Sequence, residues 1–182
     1  QMYDQIMEVQ AGHQLKGWII DLRCNTGGNV FPMLAALYHF LGDNTLYENI
    51  DLDQNITGAA IIDKGVISYV NDSTTVYAEI IPKAKPDLQV PVALLTGILS
   101  ASSGELIPIS FVGRPHVNTI GEPTAGLTSM NSLTHLPFDV KLTLTTGLMA
   151  DRFAEHRSVY PPDILIEKQA NYTALSADPN VI

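Results

Sequence analysis

The sequence predicts an α/β protein with a mixed sheet. Two continuous apolar runs, residues 17–22 and 90–95, each lead through small residues into a helix-compatible segment, the beginning of βαβ crossovers. Residues 45–86 instead alternate or favour β-branched side chains between turn signals, and residues 118–146 read as further short strands. Crossovers early and antiparallel strands late give an α/β core whose sheet holds both strand directions.

The chain opens in an amphipathic helix, with apolar residues at 2, 3, 6, 7 and 9, broken by Ala11-Gly12-His13-Gln14. That opening has no cap, which suggests a fragment of a longer protein. A buried strand follows at 17–22, then a loop, Arg23-Cys24-Asn25-Thr26-Gly27-Gly28-Asn29, and a helix over 31–41 stopped by Gly42-Asp43-Asn44. Residues 46–53 and 66–81 read as strands of a β-rich insertion or hairpin, with turns at Asp63-Lys64-Gly65 and Asn71-Asp72-Ser73. A proline-bracketed connector, 82–86, delivers the chain to the second buried strand at 90–96. Residues 105–112 form a helix interrupted or kinked near Pro108, and 118–121 a short strand. Strands at 128–136 and 138–146 pair as a hairpin turning at Pro137, and a last strand covers 164–167 before a peripheral tail from Asn171.

The 182 residues suffice for one domain with a sizeable core, and the expected unit is a single domain over 1–182. Hydrophobic residues make up 46% and charged residues 16%, a globular balance. A net charge of −9 repels phosphate backbones and anionic lipid, so no nucleic-acid partner is expected. No apolar run reaches the length of a membrane span, so no membrane insertion is expected either. The one cysteine, Cys24, builds neither an internal disulfide nor a zinc site. The five histidines are dispersed without metal-ligand spacing, and neither a dinucleotide fingerprint nor a Walker loop is present, so no metal or organic cofactor is expected. The absence of Gly-x-Ser-x-Gly argues against an α/β-hydrolase.

The chain is organised around Ser100-Ala101-Ser102-Ser103-Gly104-Glu105, at the junction between the second buried strand and the following helix. Small residues there let the backbone turn sharply and leave a hydroxyl where free N–H groups and the helix dipole favour negative charge. That suits a nucleophilic serine beside an oxyanion site. It equally suits serines that only cap a helix. The histidines at 13 and 39 read as helix or loop residues, whereas His116 and His135 are kept as reserve bases. Asp21 and Arg23 read as structural, holding a strand end against a glycine loop.

Four patterns occur in order: Asp21-Leu22-Arg23-x-Asn25-x-Gly27-Gly28, Ser100-Ala101-Ser102-Ser103-Gly104-Glu105, Gly121-Glu122-Pro123-Thr124-Ala125-Gly126, and Pro162-Asp163-Ile164. In this order the chain resembles the carboxyl-terminal processing, or tail-specific, serine peptidases, a family that includes the tricorn and nisin-resistance proteases. The resemblance covers residues 15–168. It implies a crotonase/ClpP-like core: a mixed sheet flanked by helices, with the β-rich insertion beside it. It makes Ser102 the nucleophile, the Ser103 N–H one oxyanion donor, a Gly27 or Gly28 N–H the other, and Glu105 the residue that orients the cluster or caps the turn. Substrates would be proteins or peptides, and family members commonly act at cell envelopes or in periplasmic or secreted compartments.

The sequence departs from the serine–lysine members at one place. Their third loop ends Gly-Lys-Gly, with the lysine as base; here it reads Gly126-Leu127-Thr128, and leucine takes no proton. The resemblance therefore points to the branch that uses a histidine from a segment upstream of the Asp21-Leu22-Arg23 strand, and the expected base lies before Gln1. Two alternatives stay open: a non-catalytic ligand- or peptide-binding module on the same fold, like the retinoid-binding repeats, and a coenzyme-A enzyme on the related crotonase fold.

Overall fold

The computed structural model describes residues 2–166. The elements run α1 (Met2–Gly12), β1 (Trp18–Asp21), α2 (Val30–Ala36), α3 (Tyr38–Leu41), β2 (Asn44–Ile50), β3 (Ile56–Asp63), β4 (Val66–Val70) and β5 (Thr74–Glu79). They continue with β6 (Val92–Thr96), α4 (Ser103–Phe111), β7 (Val117–Gly121), β8 (Ser129–His135), β9 (Lys141–Ala150) and β10 (Ile164–Leu165). The two strand directions are divided between two sheets. One, ordered β1-β6-β7-β10, is parallel throughout; the other, ordered β5-β4-β3-β2-β9-β8, is antiparallel throughout.

The helices join the two sheets. Helix α4 packs on β2, α2 packs on β4 and β5, and the two helices pack on each other. Every residue of α4 from Gly104 to Phe111 is buried, the polar Glu105 and Ser110 included. One continuous core runs from Leu94 of the parallel sheet through Leu34, Phe40 and Ile109 to Ile62 and Ile67 of the antiparallel sheet. Packing on all sides also explains why α4 runs through Pro108 rather than ending there, although proline inside a helix costs about 3 kcal/mol locally.

The expected helix over 31–41 is two helices, divided at Leu37, whose backbone (φ −95°, ψ 7°) leaves the helical region. The β-rich stretch is a four-stranded meander, β2 to β5, continued by the β8–β9 hairpin into a single sheet. Of the last expected strand, residues 164 and 165 are β10; residue 167 and the tail from Asn171 lie outside the described residues. No helix among the described residues is long and apolar enough to cross a membrane.

The parallel sheet positions the site. Strands β1, β6 and β7 end side by side, with Asp21 paired to Leu95 and Thr96 to Gly121. Their three following loops, 22–29, 97–102 and 122–128, gather at that carboxyl edge, where open α/β sheets bind their ligands.

Candidate active site

After β6 the chain makes a tight turn, with the Ser100 N–H donating to the Gly97 carbonyl at 2.8 Å. Ser100 is wholly buried, and its hydroxyl donates to the Leu22 carbonyl at 2.8 Å while accepting the Gly97 N–H at 3.0 Å. The first serine of the cluster is thus a fastener between the ends of β1 and β6. The next residue, Ala101, donates its N–H to the Asn25 carbonyl at 3.0 Å.

Ser102 is different in kind. It is exposed, it is the N-cap of α4, and its backbone sits at φ 54°, ψ −123°. A non-glycine residue held there costs about 1–3 kcal/mol, which the surroundings must impose. The glycine loop supplies part of that surrounding. A Cβ on Gly27, whose φ is 106°, would lie 2.9 Å from the Ser102 Cβ and 3.2 Å from the Ser103 nitrogen. Only glycine lets this backbone come so close to the serine. On the other side, a Cβ on Gly104 would lie 2.2 Å from the Asn25 carbonyl oxygen, so helix α4 starts directly against the same loop.

The two glycines of the loop are not equivalent. The Gly27 N–H donates to the Asn25 Oδ1 at 3.1 Å. The Gly28 carbonyl accepts the Ser103 hydroxyl at 2.6 Å, whereas the Gly28 N–H makes no hydrogen bond among the described residues. The Ser103 N–H, first of the helix, is likewise uncommitted among the described residues. The structure thus brings Ser102, Ser103, Gly27 and Gly28 together and, among the described residues, leaves two of their amides free.

Glu105 is fully buried beneath them. Its Oε2 accepts the Ser102 N–H at 2.9 Å and the Leu127 N–H at 2.7 Å, and its Oε1 accepts the Gly126 N–H at 2.9 Å. The carboxylate therefore ties the serine turn to the third loop. That loop is held from outside by a reciprocal pair: Thr124 donates its N–H to the Tyr160 carbonyl, and Tyr160 donates its own to the Thr124 hydroxyl at 3.0 Å. The Ala125 N–H closes the circuit on the Ser100 carbonyl at 2.9 Å.

No histidine or lysine among the described residues hydrogen-bonds to Ser102. His116 precedes β7 at the amino ends of the parallel strands, where its carbonyl accepts the Val92 N–H, so the length of β6, about 15 Å, separates it from the serine's edge. His135 ends β8, opposite Lys141, about 20 Å along the strand from Ser129. His39 is buried in α3 with neither ring nitrogen hydrogen-bonded among the described residues, and burial holds its pKa down. His156 turns its Nδ1 to the Met149 carbonyl at 2.6 Å. Asp21 and Arg23 pair with each other at 2.6 Å, as a strand-end fastening would.

Sequence reasoning left Asn25, Ser100 and Gly104 without a role at the site. All three stand inside the quoted patterns, and the signal was there in the small size of Gly104 and in an asparagine two residues before Gly27. What could not be read from spacing is which amide that asparagine occupies.

The family model for peptidase family S41 matches residues 1–165. The nisin-resistance protein of Lactococcus lactis subsp. lactis is 33% identical over 150 residues, which are 81% of this chain and 45% of that protein. A solved lipoprotein from Streptococcus agalactiae is 28% identical and superposes with a TM-score of 0.66, covering 91% of this chain and 55% of its own. The photosystem II D1 C-terminal processing protease, 18% identical, shares the fold with a TM-score of 0.66 over 98% of this chain and 40% of its own. The chain thus spans about half the length of the relatives it matches. Its parallel and antiparallel sheets and the helices between them are the crotonase/ClpP-like core. On the extent of the family match, and on the identity shared with a relative over four-fifths of its length, this chain belongs to peptidase family S41.

Proposed function

We propose that this chain is the core of a serine-type endopeptidase that hydrolyses protein or peptide substrates through an acyl-enzyme on Ser102. One observation carries the reading. An exposed serine stands in a left-handed backbone at the amino end of α4, beside two uncommitted amides, from Ser103 and Gly28, that are joined by the Ser103 hydroxyl.

The Ser102 Oγ bonds to the scissile carbonyl carbon while its proton passes to a base. The carbonyl oxygen takes the negative charge and is held by the Ser103 and Gly28 N–H groups. Of the two glycines, Gly28 fills this role, because the Gly27 N–H is already given to Asn25. Losing one such donor costs about a hundred- to a thousandfold in rate. Collapse expels the amine, which receives the proton from the base; water then adds to the acyl carbon and returns Ser102. Glu105 touches no substrate. It positions Ser102 through the backbone amide. The base is a histidine delivered from outside the described residues, since Leu127 stands where serine–lysine members carry their base. The substrate is taken up as an extended segment along a strand edge, and β8, an edge strand, starts two residues past Leu127.

A fluorophosphonate probe applied to the full-length protein tests this. Labelling should map to Ser102 and vanish in Ser102→Ala, together with peptide hydrolysis. Folded protein that is not labelled, or labelling that survives Ser102→Ala, overturns the assignment and leaves the binding-module alternative. Residues 1–182 alone should hydrolyse peptides about a hundred- to ten-thousandfold more slowly than the full-length protein, the usual cost of a missing general base.

A further inference from the structure

Three large aliphatic side chains stand in water on the two loops that adjoin Ser102. Ile98 and Leu99 are 71% and 53% exposed, and Leu127 is 58% exposed. Ile98 and Leu99 occupy the two central positions of the tight turn closed by the Ser100 N–H and the Gly97 carbonyl. Glycine, proline, asparagine, aspartate and serine dominate such positions, each for a backbone reason that isoleucine and leucine lack. Leu127 is fixed beside Ser102. Its N–H and that of Ser102 donate to the same Glu105 oxygen, so the two amides are immediate neighbours. The loops bearing the three side chains are joined by the Ala125 N–H on the Ser100 carbonyl. Single exposed aliphatics are ordinary on any surface, but three on two linked loops beside one reactive hydroxyl form a patch.

The residues on either side of the three aliphatics are also uncharged, and across the two loops the one charged residue is Glu122, at the start of the third. Neither loop offers a cation to a substrate carboxylate. What these side chains can do is bury apolar surface, at about 25 cal/mol per Å² removed from water.

We infer that Ile98, Leu99 and Leu127 form an apolar lip that selects peptide substrates carrying a large aliphatic or aromatic side chain next to the bond to be cut. This rests on Ser102 being the nucleophile. The consequence for the chemistry is a division of labour on one short loop. The Leu127 backbone holds the serine through Glu105, while its side chain meets the substrate.

The test uses the full-length protein in two backgrounds. In the first, Ser102→Ala, binding of fluorescein-labelled peptides is followed by anisotropy, using peptides with Leu or Glu at the residues flanking the central bond. The Leu-flanked peptide should bind at least tenfold tighter, and Leu127→Glu or Ile98→Asp should remove most of that preference. In the second, with Ser102 intact, the same changes should raise KM for the Leu-flanked peptide tenfold or more with little change in kcat. The unsubstituted protein should be labelled by a small alkyl fluorophosphonate, which carries no side chain for the lip to read. Leu127→Met keeps the preference, and Leu127→Gln serves where the charged variant does not fold. Equal binding of both peptides, or a preference untouched by these substitutions, overturns the lip. Preferential binding without any labelling overturns the nucleophile and leaves the lip as a recognition surface, so the two failures are told apart.

Discussion

Glu105 has no lysine or arginine paired with it among the described residues, yet its side chain is removed entirely from water. Three backbone N–H donors take the place of a cation. Hydrogen bonds to a charged acceptor are stronger than neutral ones, and a buried donor left without a partner is costly. Glu105→Gln keeps one accepting oxygen and turns an amide N–H toward amides that need acceptors. The variant should lose about 2–4 kcal/mol of stability and most labelling of Ser102. Urea unfolding followed alongside fluorophosphonate labelling measures both, and an unchanged midpoint with full labelling would contradict the role given to this carboxylate. At this scale the sequence was informative about identity and silent about partners. The spacing of Ser102, Ser103 and Glu105 pointed to the group as a whole. The choice between Gly27 and Gly28 depended on one asparagine side chain, and the Leu22 carbonyl to which the Ser100 hydroxyl donates lies 78 residues away.

Among the elements, the β8–β9 hairpin departs furthest from what its own residues favour. Phe138 and Asp139 both have positive φ, 66° and 58°, in the turn closed by the Leu136 N–H on the Val140 carbonyl. Each L-residue held in that region costs about 1–2 kcal/mol, and Phe138 recovers nothing by packing, being 97% exposed. Replacing Phe138-Asp139 with Asn-Gly should therefore stabilise the hairpin by about 1–2 kcal/mol. Hydrogen exchange at the amides of Leu133 and Leu142 reads this directly, and exchange that is no slower contradicts it. The sequence marked this turn through Pro137 but placed β3 only within a general β-rich stretch. Gly58-Ala59-Ala60 has weak strand propensity, and β3 is held by its neighbours β2 and β4 on both edges instead. The break between α2 and α3 was hidden for a related reason: apolar spacing continues across Leu37, which is buried like the residues around it.

For the molecule as a whole, the core encloses one histidine. His39 is 4% exposed, and burial holds its pKa below the ordinary 6.5. Arg114 adds to that depression and Asp87 opposes it. Arg114 is itself buried and spends its N–H groups on the carbonyls of Phe40, Asp87, Val90 and Pro115. Because the unfolded chain binds the His39 proton more readily, the contribution of this residue to stability is complete above pH 6.5. It is lost as pH falls from there toward the folded pKa. The midpoint of thermal unfolding should therefore fall between pH 7 and pH 5, and His39→Gln should flatten that fall. An equal slope in both proteins contradicts the assignment. Architecture was the most legible level. Alternation of strand and helix, followed by antiparallel strands, predicted the class from residues alone. Division into two sheets was not legible, because it depends on a core that gathers residues of both sheets and the helices from distant parts of the chain.

The Glu105 junction has a temporal consequence. Its carboxylate gathers amides from positions 102, 126 and 127, so the serine turn is complete only after the third loop has been synthesised and docked. A nascent chain emerging from the ribosome carries the Ser102 hydroxyl for some twenty residues before the clasp that shapes its turn exists.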